Sequence, residues 1–389
     1  MGEEALQRKG AVFTAREINN QPDLWLKTYE TVNHDKKNIR NFCNTCFTQD
    51  QIGIILTGAG TSAFIGNVLE GPFQQRTGIK TSAVATTDLV THAEHYLSRD
   101  KPILLISFAR SGNSPESVAA VELANKICKH IYHLIITCNA QGDLAQKCRG
   151  SNSYIFLLPP EADDKSLAMT GSFTSMLLTG ILISLINKID EQEKVVNRLV
   201  TTAKKILTSK LADIRNIAEL PFSRAVFLGS GPLQGIACES HLKVQELSDG
   251  RIICKYDSFL GFRHGPKAVI NKETLLVFLF SNDNYVYNYE YDLVKDVNNG
   301  ERGIARVGIG EKISEDLDLT LTISLNGTDS PLPEEFLAIV SVLPAQILGF
   351  YKSLHLGLAP DTPSMSGTIT RVVQGVKIYP YTKITEMVF

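Results

Sequence analysis

The chain has 389 residues and a mass of 42.8 kDa, a length that suits two or three domains. Its 39 Lys and Arg against 41 Asp and Glu leave a net charge of −2, which argues against a nucleic-acid or anionic-membrane surface as the main business, because such surfaces need a basic excess. A hydrophobic share of 43% with 21% charged residues excludes wholesale disorder.

The opening stretch MGEEALQRKG lacks the apolar core of a secretory signal, and Leu6 stands where N-myristoylation wants Ser or Thr. Residues 1–45 are polar and read as a helical arm. It is broken at Asn20-Gln21-Pro22-Asp23, with Asp23 able to cap a helix through Leu24, Leu26 and Tyr29. Seven cysteines without an export signal read as the reduced thiols of a cytoplasmic enzyme. The one CxxC, Cys43 to Cys46, has no partner pair at zinc spacing.

From residue 52 the pattern changes. Ile52 to Thr57 is a short β-branched run ending in Gly58-Ala59-Gly60-Thr61-Ser62, and a helical stretch comes next. Ile103 to Ser107 ends in Arg110-Ser111-Gly112-Asn113-Ser114-Pro115-Glu116, again with a helix behind it. His133 to Thr137 and Tyr154 to Leu158 are two further apolar runs. Near-continuous apolar strands alternating with helices predict a parallel sheet covered on both faces. Met176 to Ile186 is too short to span a bilayer and reads as a buried core helix. Asp190 to about Ala218 reads as a long helical connector. Ala225 to Leu228 then ends in Gly229-Ser230-Gly231-Pro232, and Thr274 to Phe280 ends in Ser281-Asn282-Asp283. Gly58 and Gly229 are 171 residues apart, and Ser107 and Ser281 are 174 apart. Similar elements at similar spacing predict a duplicated α/β module. The sequon Asn326-Gly327-Thr328 has no meaning in a chain that is not exported. From Leu358 the chain is rich in Pro, Thr and Ser, and Val372 to Tyr381 looks strand-like.

In an open parallel sheet, ligands bind beyond the carboxyl ends of the strands. Both polar loops of the first half lie there. Gly60 lets the backbone turn and approach a ligand, while Thr61 and Ser62 put hydroxyls at a helix start, where free N–H groups favour an anion. Arg110, Ser111, Asn113 and Ser114 repeat the arrangement one strand over. Either loop alone also reads as an ordinary strand-to-helix turn; the pair at corresponding strand ends points to a phosphate monoester. Neither a Walker Lys nor the third glycine of a dinucleotide fingerprint is present. In the second half, Glu239, Lys243 and Glu246 are spaced i, i+4, i+7 and share a helix face, which reads as a self-pairing solvated face or as acid–base machinery.

The Gly58–Ser62 and Ser107–Ser114 loops resemble the phosphosugar-binding motifs of sugar isomerase (SIS) domains, and the resemblance covers nearly the whole chain. Ser111-Gly112-Asn113-Ser114-Pro115-Glu116-Ser117, Thr86 to Val90 and Arg371 to Val376 look like the AgaS-type group in particular, whose activities are tagatose-6-phosphate ketose/aldose isomerisation and galactosamine-6-phosphate deamination. The isomerase half of glucosamine-6-phosphate synthase is a more distant relative. The resemblance implies two tandem SIS domains, each a flavodoxin-like α/β sandwich. Behind the arm of 1–45, the first domain (46–200) would carry the phosphosugar loops and the second (201–376) the acid–base groups, with 377–389 as a tail. It implies that Gly60, Thr61, Ser62, Arg110, Ser111, Asn113, Ser114 and Thr170 bind the substrate. Glu246 maps onto the synthase's enolisation base and Lys243 onto its lysine. Arg263-His264-Gly265-Pro266 looks like the family's loop with a ring-opening histidine, so His264 joins the catalytic set.

Two departures from the synthase stand out. Ala109 replaces the first serine of its phosphate loop. Thr368 falls near its Schiff-base lysine, and the nearest lysine is Lys377, so covalent capture of a ketose is not expected. The implied substrate is a hexose or hexosamine 6-phosphate, with no cofactor, no metal, and neither nucleic acid nor membrane as partner. The implied assembly is a homodimer or homotetramer in the cytoplasm. A SIS-type regulator would need a basic helix-turn-helix that the arm does not offer. A non-catalytic sugar-phosphate sensor and an aldolase accessory subunit are two further readings, against which the intact Glu246, Lys243 and His264 favour catalysis.

Overall fold

The computed structural model describes residues 2–327, 330–373 and 375–382. Thr328 of the sequon, Gln374 of the Arg371–Val376 stretch and the tail residues 383–389 lie outside the described residues.

Two five-stranded parallel sheets organise the chain. The first holds β1 (Gly53–Thr57), β2 (Thr81–Ala83), β3 (Ile103–Ala109), β4 (Ile131–Thr137) and β5 (Ser153–Leu157) in the order β2-β1-β3-β4-β5. The second holds β6 (Arg224–Leu228), β7 (Ile253–Asp257), β8 (Thr274–Leu279), β9 (Ala305–Gly310) and β10 (Leu321–Ser324) in the order β10-β9-β8-β6-β7. Renumbered within each half, both sheets read 2-1-3-4-5, the flavodoxin-like order. The apolar runs form the central strands: every residue of β3 and of β8 is buried, because helices cover both faces and leave no wet side on which polar residues could alternate.

The duplication extends to single dihedral angles. Gly60, ahead of the helix Thr61–Thr77, has φ 56° and ψ −128°. Gly231, ahead of the helix Pro232–Leu247, has φ 52° and ψ −126°. Both lie in a region that strains any residue with a Cβ, so the glycines mark the same sharp exit from the first strand of each half.

The helix Gly171–Ser184 is the buried core helix expected around Met176, with Gly171 through Ile183 all buried. The indole N–H of Trp25 donates to the Thr174 hydroxyl at 2.9 Å and ties the N-terminal arm to it. The run Glu334–His355 has the length and apolarity to cross a membrane, and 89% of its most apolar window is buried inside the fold.

Four expectations are corrected. The arm does not break at Pro22: one helix runs Val12–His34 straight through it. Proline lacks the N–H that would bond to the Ile18 carbonyl, and the Gln21 side-chain amide bonds to that carbonyl instead at 3.3 Å. Asp23 is therefore not a cap but an exposed partner of Lys204. The connector is not one helix but a 3₁₀ turn, Ile186–Gln192, continued by helices Glu193–Ser209 and Leu211–Ala218. The described residues of Val372–Tyr381 form no strand.

Candidate active site

The strand-end glycines shape the first wall of the site. A Cβ on Gly58 would sit 2.5 Å from the Ser62 carbonyl carbon, so only glycine lets the loop fold back on the helix it starts. Thr61 and Ser62 come next, nearly buried, and no side chain caps this helix. One strand over, β3 delivers Arg110 and Ser111, and Ser114 heads the helix Pro115–Ile127. These loops enclose a cavity of about 450 Å³ together with Ala59, Phe108, Ala109, Ser117, Leu167 and Met169. Two further contributions come from the second half of the chain: Lys243 and Glu246 on the helix Pro232–Leu247, and the segment Gly367–Val373.

That helix reaches the first half because Gly235 lets it come close. A Cβ there would meet the Val68 nitrogen at 2.7 Å and the Asn67 carbonyl carbon at 3.0 Å, both on the helix Thr61–Thr77. The result is a bond between the halves: the Lys243 ammonium donates to the Thr61 hydroxyl at 3.1 Å. It also donates to a Glu246 oxygen at 2.6 Å, and a Glu239 oxygen lies at 3.4 Å. Lys243 and Glu239 have no solvent exposure, whereas the Glu246 side chain keeps 23%. The face is thus buried machinery rather than a solvated, self-pairing surface.

The charges sort themselves by burial. Burial pulls the Lys243 ammonium down, but Glu239 and Glu246 outweigh it and leave the group raised and charged. Burial pushes the Glu239 carboxyl up to about 8 against the pull of Lys243. Of the two carboxyl groups beside the ammonium, Glu246 is the one that lines the cavity. A pair so deeply placed costs desolvation, which suits a site better than a stability device.

The sequence-derived candidates divide as follows. Gly60, Thr61, Ser62, Arg110, Ser111, Ser114, Lys243 and Glu246 all line the cavity. Asn113 and Thr170 do not. The Asn113 side-chain oxygen accepts from the Asp143 N–H at 3.0 Å, and Thr170 is fully buried with its N–H on the Asp164 carboxylate at 2.8 Å. Both hold neighbouring loops in shape. His264 lies on an exposed turn after the short helix Phe259–Phe262 and is not part of the cavity wall. The cavity also takes in residues to which sequence reasoning gave no binding role: Phe108, Ser117, Leu167, Met169 and the Gly367–Val373 segment. Only Ser117 carried a signal, three residues beyond Ser114 on the same helix face; Arg371 was visible as part of a motif without a role.

A SIS domain is matched over residues 49–185. The D-galactosamine-6-phosphate deaminase AgaS of Shewanella sp. (strain ANA-3) is 42% identical over 384 residues, which is 98% of this chain and 95% of that protein. The chain belongs to the AgaS group of SIS-domain proteins. The crystal structure of tagatose-6-phosphate ketose/aldose isomerase from Escherichia coli, 38% identical, covers 95% of this AgaS-type chain and 96% of its own, with a TM-score of 0.86. The C-terminal domain of glucosamine-fructose-6-phosphate aminotransferase from Francisella tularensis, at 18% identity and a TM-score of 0.74 over 89% of this chain and 96% of that one, shares the fold.

Proposed function

We propose that this chain is a sugar-phosphate deaminating isomerase that converts galactosamine 6-phosphate to tagatose 6-phosphate and ammonia. The observation that carries the reading is the contact of Glu246, Lys243 and Thr61, which brings a carboxylate and a fixed cation from one half beside the hydroxyl-rich loops of the other. The AgaS-type relatives named for this deamination span nearly the full chain.

The phosphate takes the hydroxyls of Ser62, Ser111 and Ser114, with Gly60 permitting close approach, while Arg110 stands at the edge of the loop with its guanidinium on main-chain carbonyls. Anchored there, the sugar presents C1 and C2 to Glu246. His264 opens the ring by moving a proton between the ring oxygen and the C1 hydroxyl. Glu246 takes the C2 proton, leaving an enolamine whose developing oxyanion Lys243 steadies. The same carboxylic acid returns the proton to C1 while the amine loses a proton and O1 gains one, giving a C2 ketimine beside a C1 hydroxyl. Water adds to C2, the C–N bond breaks, and ammonia leaves with a ketose phosphate. The His264 turn serves the cavity of a neighbouring copy in a homodimer or homotetramer; the support is its exposure and its place outside its own cavity. The enzyme works in the cytoplasm.

Plain aldose–ketose isomerisation is the second reading, favoured by the name of the Escherichia coli structure. It uses the same steps on a C2 hydroxyl. The deciding measurement compares ammonia release from galactosamine 6-phosphate with interconversion of tagatose 6-phosphate, in the parent and in Glu246→Gln. Deamination at the faster rate, with kcat reduced about 10²–10⁴-fold in the variant and substrate binding retained, is expected. A variant within threefold of the parent would reject Glu246 as base.

A further inference from the structure

One wall of the cavity, Gly367–Val373, comes from near the C-terminal end of the chain and contains no helix or strand. A segment of that kind has no ladder to hold it. Two guanidinium groups do so instead. Arg371 donates from Nε and Nη2 to the Asp164 carbonyl at 2.8 and 2.6 Å and from Nη2 to the Asp163 carboxylate at 2.6 Å. Arg110, 6% exposed, donates from Nη2 to the carbonyl of Arg371 itself at 2.7 Å. Its Nη1 points to the Leu167 and Ser166 carbonyls at 3.3 and 3.4 Å. Both arginines therefore grip one loop, 163–167. Glu17 fixes that loop through the N–H groups of Lys165 and Ser166 at 2.6 and 3.2 Å, and Leu167 N–H donates to the Asp361 carbonyl at 3.0 Å.

The Arg371 fork is thus engaged by the Asp164 main chain and the Asp163 carboxylate. We infer that Arg371 is a positioning residue for the sugar part of the substrate: it clamps Gly367–Val373 to the Asp163–Leu167 loop, so that this wall stands ready before the substrate arrives. The inference rests on the phosphosugar reading of the cavity. A wall ordered in advance removes an ordering cost that each binding event would otherwise carry. That cost concerns the sugar and not the phosphate, which other loops hold. Lysine would keep the charge but not the fork.

The test measures, in the full chain, KM for galactosamine 6-phosphate and the inhibition constant of inorganic phosphate as a competitor. Arg371→Ala and Arg371→Lys are each expected to raise KM about tenfold or more while the phosphate constant moves less than about threefold. Asp163→Asn, which weakens the ionic arm and leaves the Asp164 carbonyl bonds, is expected to fall between them and the parent. It also carries the test if Arg371→Ala does not fold. Equal weakening of both constants would overturn the inference, because Arg371 would then hold the phosphate itself. An unchanged KM in Arg371→Ala, or a parent-like Arg371→Lys, would overturn it as well. Failure of inorganic phosphate to compete in the parent chain would strike the phosphate-site reading instead, while a KM rise in the Arg371 variants with an intermediate Asp163→Asn would still support the clamp.

Discussion

Glu239 is a carboxyl held far from the ordinary behaviour of its type. It has no solvent exposure, and burial pushes its carboxyl up to about 8 from an ordinary 4.5. The folded chain therefore holds a proton there that the unfolded chain gives up. Stability from this site is fully present below about pH 4.5 and is lost as the pH rises through about 8. Glu290 and Glu17, raised by burial to about 7 and about 6, act with the same sign. Glu239→Gln is expected to make the decline of Tm between pH 5 and 8.5 shallower without abolishing it. Thermal unfolding of parent and variant across that range checks the expectation; parallel curves would mean that Glu239 is ionised in the fold.

Between elements, the decisive contact is the crossing of the helices Thr61–Thr77 and Pro232–Leu247 at Gly235. Gly235→Ala places a methyl against the Val68 backbone, where main chain cannot step aside. The helices must part, at about 1–3 kcal/mol, and Lys243 must withdraw from Thr61. The expected outcome is a lower Tm together with a fall in kcat larger than the rise in KM, read from denaturation and steady-state kinetics. Normal kcat in a destabilised variant would show that the Lys243–Thr61 contact is not needed for turnover. This crossing was not legible in the sequence, since a glycine inside a helix announces only a close approach and not the partner. The central strands were legible, because β3 and β8 are continuous apolar runs. The short edge strands were not: β2 has three residues, and β7 exposes Ile253, so neither shows the apolar run of a buried strand. The helical face of Glu239, Lys243 and Glu246 was legible from spacing, yet its burial was not, because i, i+4, i+7 charges look the same on a wet surface. The Gly367–Val373 wall left no periodic trace because it has no regular structure.

Across the whole molecule, the two halves share a topology and differ in what they offer. In the second half Pro232 and Leu233 stand at the helix start where the first half has Thr61 and Ser62. The Ser281 N–H at the end of β8 is already taken by Glu290 at 2.8 Å. The Thr61–Ser62 pair of hydroxyls at a helix start therefore has no counterpart in the second half. If His264 reaches a neighbour's cavity, mixing inactive Glu246→Gln and His264→Asn chains should restore part of the activity, up to about a quarter of the parent level for a random dimer of two independent composite sites. Activity in the mixture is the measurement. No recovery, with subunit exchange demonstrated, would place the entire reaction within one chain.

The seam at Gly235 has a further consequence for genetics. Since the cavity straddles it, substitutions on its two sides should sort into two phenotypes. Those near Ser62 and Ser111 would produce enzymes that are slow only when substrate is scarce. Those on the inner face of the Pro232 helix would produce enzymes that stay slow however much substrate is supplied. A cell growing on an amino sugar could then rescue the first kind by accumulating the phosphorylated sugar, and could not rescue the second.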